Sequence, residues 1–600
     1  MKRILPIFLV LALCLSGCKK APTHTPDATG PSAANPTAPP ASFAESDKEM
    51  FTDRDSDPAY DESTAVKIIL SGSTATATSD AVKISGSTVK ITEAATYIVS
   101  GNLDDGMLVV DAPKDAKVQI VLSSASVASK TYAPLLVLQA DKVFVTLAEG
   151  TQNTLSGGES FPSLEDNNID GVIYAKTDLT FNGTGTLTVT SPAGHGIVCK
   201  DDLVFTGGSY TVQSASHAID ANDSVRIAAA SFTANAGKDG IHAENSDDAA
   251  LGYVYISGGN FKIDAEGDGI SAGSYLQIGG GTFDITAGGG SKNGDKHSSD
   301  GYGGFGGGFG GGMRPGGRAT TAADTTDSTS MKGLKAGTDI KIAEGTLSIN
   351  SADDGVHANG SLYLEKGTLT IATGDDGLHA EDTLTVTGGT VTVTESYEGL
   401  EALHIKVSGG DTTLTASDDG LNAAGGTDQS GTGGRDNGQF GGMGRPGGPG
   451  GMGGGMSSGN GSILISGGTL NITASGDGID ANGTLEITGG HTTVCGPTQG
   501  DTATLDFDKT GTISGGTFIG TGAAGMAQTL TGSGQGVIAV RAGNIAANTQ
   551  ITLADSSGKV LLTHTPALGC NVVILSGPEI QKGETYTLTV GAQRNQVKAN

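Results

Sequence analysis

Residues 331–425 read MKGLKAGTDIKIAEGTLSINSADDGVHANGSLYLEKGTLTIATGDDGLHAEDTLTVTGGTVTVTESYEGLEALHIKVSGGDTTLTASDDGLNAAG. One phrase recurs: acid, acid, Gly, apolar, polar, Ala. Its glycines are Gly333, Gly355, Gly377, Gly399 and Gly420, almost evenly spaced. Self-similarity at a fixed period of about 22 residues signals stacked units and outranks any local pattern. Each unit carries a short alternating segment (LSINS, LTIAT, VTVTE, TTLTA) behind a Gly-Gly or Lys-Gly turn. Short strands and turns that close once per period predict an all-β, right-handed parallel β-helix, one coil per unit.

Outward from this block, the phrase continues on both sides. Upstream it appears as Asp170-Gly171-Val172, His195-Gly196-Ile197, His217-Ala218-Ile219, Asp239-Gly240-Ile241 and Asp268-Gly269-Ile270; downstream as Asp477-Gly478-Ile479 and, one period on, Gln499-Gly500-Asp501. The intervals from Gly269 to Gly333 and from Gly420 to Gly478 each exceed two periods, so each holds one coil plus an insertion. The insertions, at about 289–330 and 425–460, are glycine-rich (GYGGFGGGFGGGMRPGGR; GGRDNGQFGGMGRPGGPGGMGGGM) and lack apolar periodicity. They read as loops leaving the tube. From residue 529 the recurring phrase is gone, and longer runs (GVIAVRAG, CNVVILSG, TYTLTVG) predict a small antiparallel β cap over 529–600. The β-helix itself is expected to span 61–528.

The N-terminus is of another kind. Lys2 and Arg3, the apolar stretch Ile4–Leu15 and the tetrapeptide Leu15-Ser16-Gly17-Cys18 form an export signal over residues 1–17. The tetrapeptide resembles a bacterial lipobox, which implies a lipid on Cys18 and residence on the outer face of a bacterial membrane. Residues 18–60, rich in Pro, Thr, Ala and Ser, read as a tether. Cys199, Cys495 and Cys570 are too few and too far apart for a disulfide framework, and Cys199 falls where other coils have Ala.

Composition narrows the partners. The net charge is −29, which opposes nucleic acid and anionic membranes and favours cations or ligands bridged by cations. Trp is absent and aromatics make up 4%, so a narrow tube filled by Val, Ile, Leu and Ala is expected rather than a bulky aromatic core. No nucleophile motif, phosphate-cradling loop or Cys/His metal cluster is seen.

Strand residues alternate faces, so Val356 and Ala358 point inward and His357 outward. Neighbouring coils lie about 4.8 Å apart, which turns equivalent positions into columns. One reads Asp239, Asp268, Lys332, Asp354, Asp376, Glu398, Asp419, Asp477; the outward one reads His242, Ser271, Lys335, His357, His379, Glu401, Asn422, Asp480; Asp353, Asp375 and Asp418 form a third. Carboxylates so close repel unless a cation or proton intervenes. Ca²⁺, with six to eight oxygen ligands, suits such a ladder. The plainer reading makes them solvated turn acids.

The runs KGLKAG, SADDGVHANGSL, GDDGLHAEDTL, SYEGLEAL, ASDDGLNAAGG and GDGIDANG resemble secreted bacterial carbohydrate-binding β-helix proteins related in shape to polysaccharide lyases. The resemblance implies a calcium-containing, non-catalytic binder of acidic (pectic) or cellulosic polysaccharide, and a monomer is expected. On this reading the cation falls to Asp353, Asp354, Asp375, Asp376, Glu398, Asp418, Asp419 and Asp477, and the polymer to His357, His379, Glu401, Asn422 and Asp480. Two alternatives stand beside it. One is a calcium-dependent polyuronate lyase with Lys332 or Lys335 as the base. The other is a passive adhesin or spacer.

Overall fold

A computed structural model describes residues 43–162, 168–294, 330–424, 460–498, 500 and 502–600. Cys18, the signal segment, Gln499, Asp501 and most of both glycine-rich insertions lie outside the described residues. The fold is all-β and its central pairings are parallel. Each coil contributes up to three short strands, and each strand pairs with its equivalent one coil later, which makes three sheets along the coil axis. Val356–Ala358, Leu362–Leu364 and Thr368–Thr373 supply one coil's share of the first, second and third sheets. The pairing of the third-sheet segments is parallel, with Leu347 opposite Leu369 and Leu369 opposite Val391. Antiparallel strands close the C-terminal end: Val537–Ile545 and Thr517–Gly522 both flank Cys570–Ser576, beside a separate four-stranded sheet.

Alternation fills the core. On the first sheet Ile219, Ile241, Ile270, Leu334, Val356, Leu378 and Leu400 stack in register, as do the alanines two residues on. Cys199 stands between Ala175 and Ala221 in that second column, fully buried, as its position in the phrase implied. Aromatics enter more than the composition suggested. Tyr210, Phe232, Phe261 and Phe283 lie in register on the third sheet, with ring centroids 4.5–5.6 Å apart. A repeat concentrates a few rings into one column, so a low overall count does not forbid an aromatic ladder.

Two glycine columns do different work. Gly355, the glycine of the recurring phrase, makes no left-handed turn, since its φ is not positive. A Cβ there would meet Ile371 Cγ2 at 2.5 Å and the Gly377 carbonyl oxygen at 2.6 Å, so the constraint is space. The turn is made at the second-to-third corner, where Gly345, Gly367 and Gly389 have φ of 130°, 99° and 83°.

Residues 43–60, grouped in the sequence with the tether, are docked where described. They run along the second sheet opposite to the coil order. The Ala44 N–H donates to Gln277 Oε1 at 2.8 Å, Arg226 donates to the Met50 carbonyl, and Asp55 reaches Thr180 at 2.6 Å. Phe43 sits edge-on to Tyr275 and Tyr363. Asp55 and Lys142 are both buried and paired at 2.8 Å.

Candidate metal and ligand centre

The polar columns lie on the outer side of the first sheet. The register places Lys335, His357, His379, Glu401, Asn422 and Asp480 one above another. The column beside it is tied coil to coil by its own side chains. The Lys332 N–H donates to Asp268 Oδ1 at 2.8 Å, Asp376 N–H to Asp354 Oδ1 at 3.1 Å, and Asp477 N–H to Asp419 Oδ1 at 2.5 Å. One carboxylate oxygen of such an Asp therefore accepts from the coil that follows, and the other faces its neighbours. These are not merely solvated turn acids. Asp354, Asp375, Asp376, Glu398 and Glu401 are buried, as are His379 and Asn422.

The carboxylates gather into clusters whose ligating atoms lie within 4.8 Å of one another: Asp353, Asp354 and Asp375; Asp354, His357 and His379; Asp376, His379 and Glu401; Asp419, Asp477 and Asp480. Glu401, His379 and Asp480, assigned to the polymer, thus stand among the residues assigned to the cation. Asp418 pairs with the Tyr397 hydroxyl. Asn422 bonds to Glu398.

Charge balance divides the face. Lys332 Nζ lies 2.5 Å from Asp353 and 3.0 Å from Asp354, and Lys335 lies 3.5 Å from Asp268. Burial works against both partners of the buried Lys332–Asp354 pair, yet Lys332 and His357 hold the Asp354 carboxyl well below the usual range, and the two carboxylates push Lys332 up. One coil later the cations run out. His379 Nδ1 serves both Asp376 Oδ2, at 3.1 Å, and Glu401 Oε2, at 2.9 Å. Despite burial, those bonds push its pKa well above the ordinary value. Burial, opposed by His379 and reinforced by Asp354 and Glu401, still pushes Asp376 up to about 8. Burial and the nearby Asp376, Glu401 and Asp419 push Glu398 well up. Burial with Asp418 and Asp477 takes Asp419 to about 9, and burial with Asp477 and Asp506 takes Asp480 to about 7. Asp376 Oδ1 and Glu398 Oε2 are buried with no hydrogen-bond partner.

That donor set fits a hard dication. Stacked carboxylate oxygens with unfilled bonding capacity are what Ca²⁺ requires. Asp419, Asp477 and Asp480 offer oxygen alone, whereas His379 adds nitrogen to its cluster.

The same face holds a cluster the sequence reading passed over. His217, Asp239 and His242 bring ligating atoms within 4.8 Å. No motif in the sequence marks this group, because its residues sit on adjacent coils, a full period apart along the chain. Reading His217 as the occupant of the Asp column would have found it.

Part of the chain is similar to known proteins. The model of the family described as carbohydrate-binding domain-containing protein matches residues 85–377. A carbohydrate-binding domain-containing protein of Acetivibrio thermocellus is 35% identical over 137 residues, which is 22% of this chain and 48% of the relative. The chain thus spans about half the length of that relative. A solved structure described as the polysaccharide lyase-like protein from C. thermocellum, gadolinium derivative, is 34% identical and covers 38% of this chain and 92% of its own, with a TM-score of 0.36.

Proposed function

We propose that this chain, whose residues 85–377 match the family described as carbohydrate-binding domain-containing protein, binds acidic polysaccharide through Ca²⁺ held on the outer side of the first sheet. The observation that carries the reading is the excess of buried carboxylate between Asp376 and Asp480. Asp376 Oδ1 and Glu398 Oε2 have no hydrogen-bond partner, and the cations of the preceding coils do not extend to them. Uncompensated buried charge is costly, and a dication coordinated by these oxygens removes the cost. Asp419, Asp477 and Asp480, whose oxygens lie within 4.8 Å of one another, would hold one such ion, and Asp376 and Glu401, with Glu398 beside them, a second. When bound, each supplies a positive centre able to take a uronate carboxylate alongside the protein's oxygens.

Binding is favoured over lysis by the state of Lys332. A general base must be able to accept a proton, and two carboxylates hold Lys332 as a buried ammonium. Lys335 lies 3.5 Å from a single carboxylate, that of Asp268. The test is retention of the full chain on polygalacturonate, with calcium and with chelator, alongside the formation of unsaturated uronate. Retention that needs calcium and releases no unsaturated product supports the reading. Unsaturated product would make it a lyase, and no retention under any condition would leave a spacer.

The location proposed is the outer face of a bacterial membrane, with lipid on Cys18, supported by the Leu15-Ser16-Gly17-Cys18 tetrapeptide. Cys18→Ala is expected to abolish lipid labelling; labelling that persists sinks the assignment.

A further inference from the structure

Several coils before the carboxylate excess, imidazoles gather. His195, His217 and His242 stack, with centroids 5.1 and 4.4 Å apart and planes within 12°. His217 Nδ1 lies 3.3 Å from Asp239 Oδ2. A tetrahedral site with bonds of about 2.0 Å has ligand-to-ligand edges of roughly 3.3 Å, so this pair already stands at a suitable separation. The same Nδ1 accepts from the Asp239 N–H at 3.1 Å, a bond that a metal at this nitrogen would replace. His242 is held between carboxylates, with Nδ1 3.0 Å from Asp220 and Nε2 3.4 Å from Glu244. A carboxylate behind a ligating imidazole is the usual supporting arrangement. The cluster borders a cleft of about 590 Å³, lined also by Glu244, Asp268, Ser271 and Lys335.

We propose that His217, Asp239 and His242 bind a transition-metal dication of the zinc class, at a site separate from the oxygen-rich calcium cluster. Two imidazoles and one carboxylate select Zn²⁺, Co²⁺ or Ni²⁺ over Ca²⁺, which prefers oxygen alone. Three protein ligands leave a fourth position open, and here it faces the cleft. That is the pattern of a site that exchanges a ligand rather than of a closed structural one. The assignment does not depend on polysaccharide binding or on calcium.

The experiment uses the full chain stripped with chelator and titrated with Zn²⁺ by calorimetry, and with Co²⁺ by visible absorption. Binding of Zn²⁺ in excess calcium, with Co²⁺ bands of a four-coordinate centre, is expected. His217→Gln, His242→Gln and the shape-conserving Asp239→Asn should each weaken Zn²⁺ binding at least tenfold, while His379→Gln should not. Circular dichroism establishes that each variant is folded, and the Asp239→Asn result decides if a histidine variant is not. Absence of Zn²⁺ binding, or affinity unchanged in these variants but lost in His379→Gln, would overturn the proposal.

Discussion

At the scale of the residue, the repeat is an arrangement of columns, and each position answers to the coils on either side. Gly355 shows this. An added methyl would press on Ile371 in the third sheet and on the Gly377 carbonyl at the corner of the next coil. Overpacking of that kind costs about 1–3 kcal/mol. Gly355→Ala is therefore expected to lower the denaturant midpoint of the chain with little change in its circular dichroism; an unchanged midpoint would show that the corner has room to relax. The phrase was legible in the sequence, since its period stands out at once. Its cause was not, because a clash between a corner and the third sheet depends on distances no spacing contains. His357, His379 and Glu401 stack as the alternation implied. What escaped was the sharing between columns: His379 reaches sideways to Asp376 as well as along its own column to Glu401. A division into cation ligands and polymer ligands, drawn column by column, could not anticipate that.

At the scale of the element, the docked N-terminal segment is the main departure from the sequence reading. Proline-rich composition marked 18–60 as tether, yet Asp55 is one of the most thoroughly bonded carboxylates among the described residues. It faces Lys142 and Thr180 on the second sheet and Thr52 in its own turn. Lys142 gave no hint of this, being a single basic residue in an otherwise ordinary strand. Burial works to raise the Asp55 carboxyl, but those bonds outweigh it and lower its pKa from 3.8 to about 2. A carboxyl depressed in the folded state contributes stability that is complete above its unfolded pKa, near 4, and is lost as pH falls through about 2. The shift corresponds to about 2 kcal/mol. Asp55→Ala removes it at neutral pH and also strands the buried Lys142 ammonium, so the loss is larger, on the order of 3 kcal/mol. Amide exchange of residues 43–60 should accelerate in that variant at pH 7, and in the wild type only as pH falls towards 2. Equal exchange in both proteins at pH 7 would mean that the aromatic contacts of Phe43 with Tyr275 and Tyr363 and of Phe51 with Tyr255, rather than the ion pair, hold the segment down.

At the scale of the whole molecule, the question is how a chain of net charge −29 keeps a line of acids in its walls. On the coils around Lys332 it does so with ammonium groups. Around Glu398 and Asp419 it does so by backbone donors, one shared imidazole and raised pKa values. On the proposed reading, a dication would take these carboxyls as its ligands and relieve the repulsion among them. The two states make opposite demands on the same side chains. Glu398→Gln and Asp419→Asn keep size and hydrogen-bonding capacity while removing the charge. In chelator, at a pH above about 9 where Asp419 ionises, the double variant should melt at a higher temperature than the parent, because repulsion with Asp376, Asp418 and Asp477 is gone. In millimolar calcium the order should reverse, because the parent gains stability with ligand concentration and the variant has lost two donors. The crossing of the two melting series is the informative result, since a general change in packing would move both in one direction. If the variant is less stable under both conditions, these carboxyls serve the fold as hydrogen-bond acceptors alone, and the calcium reading of this face fails.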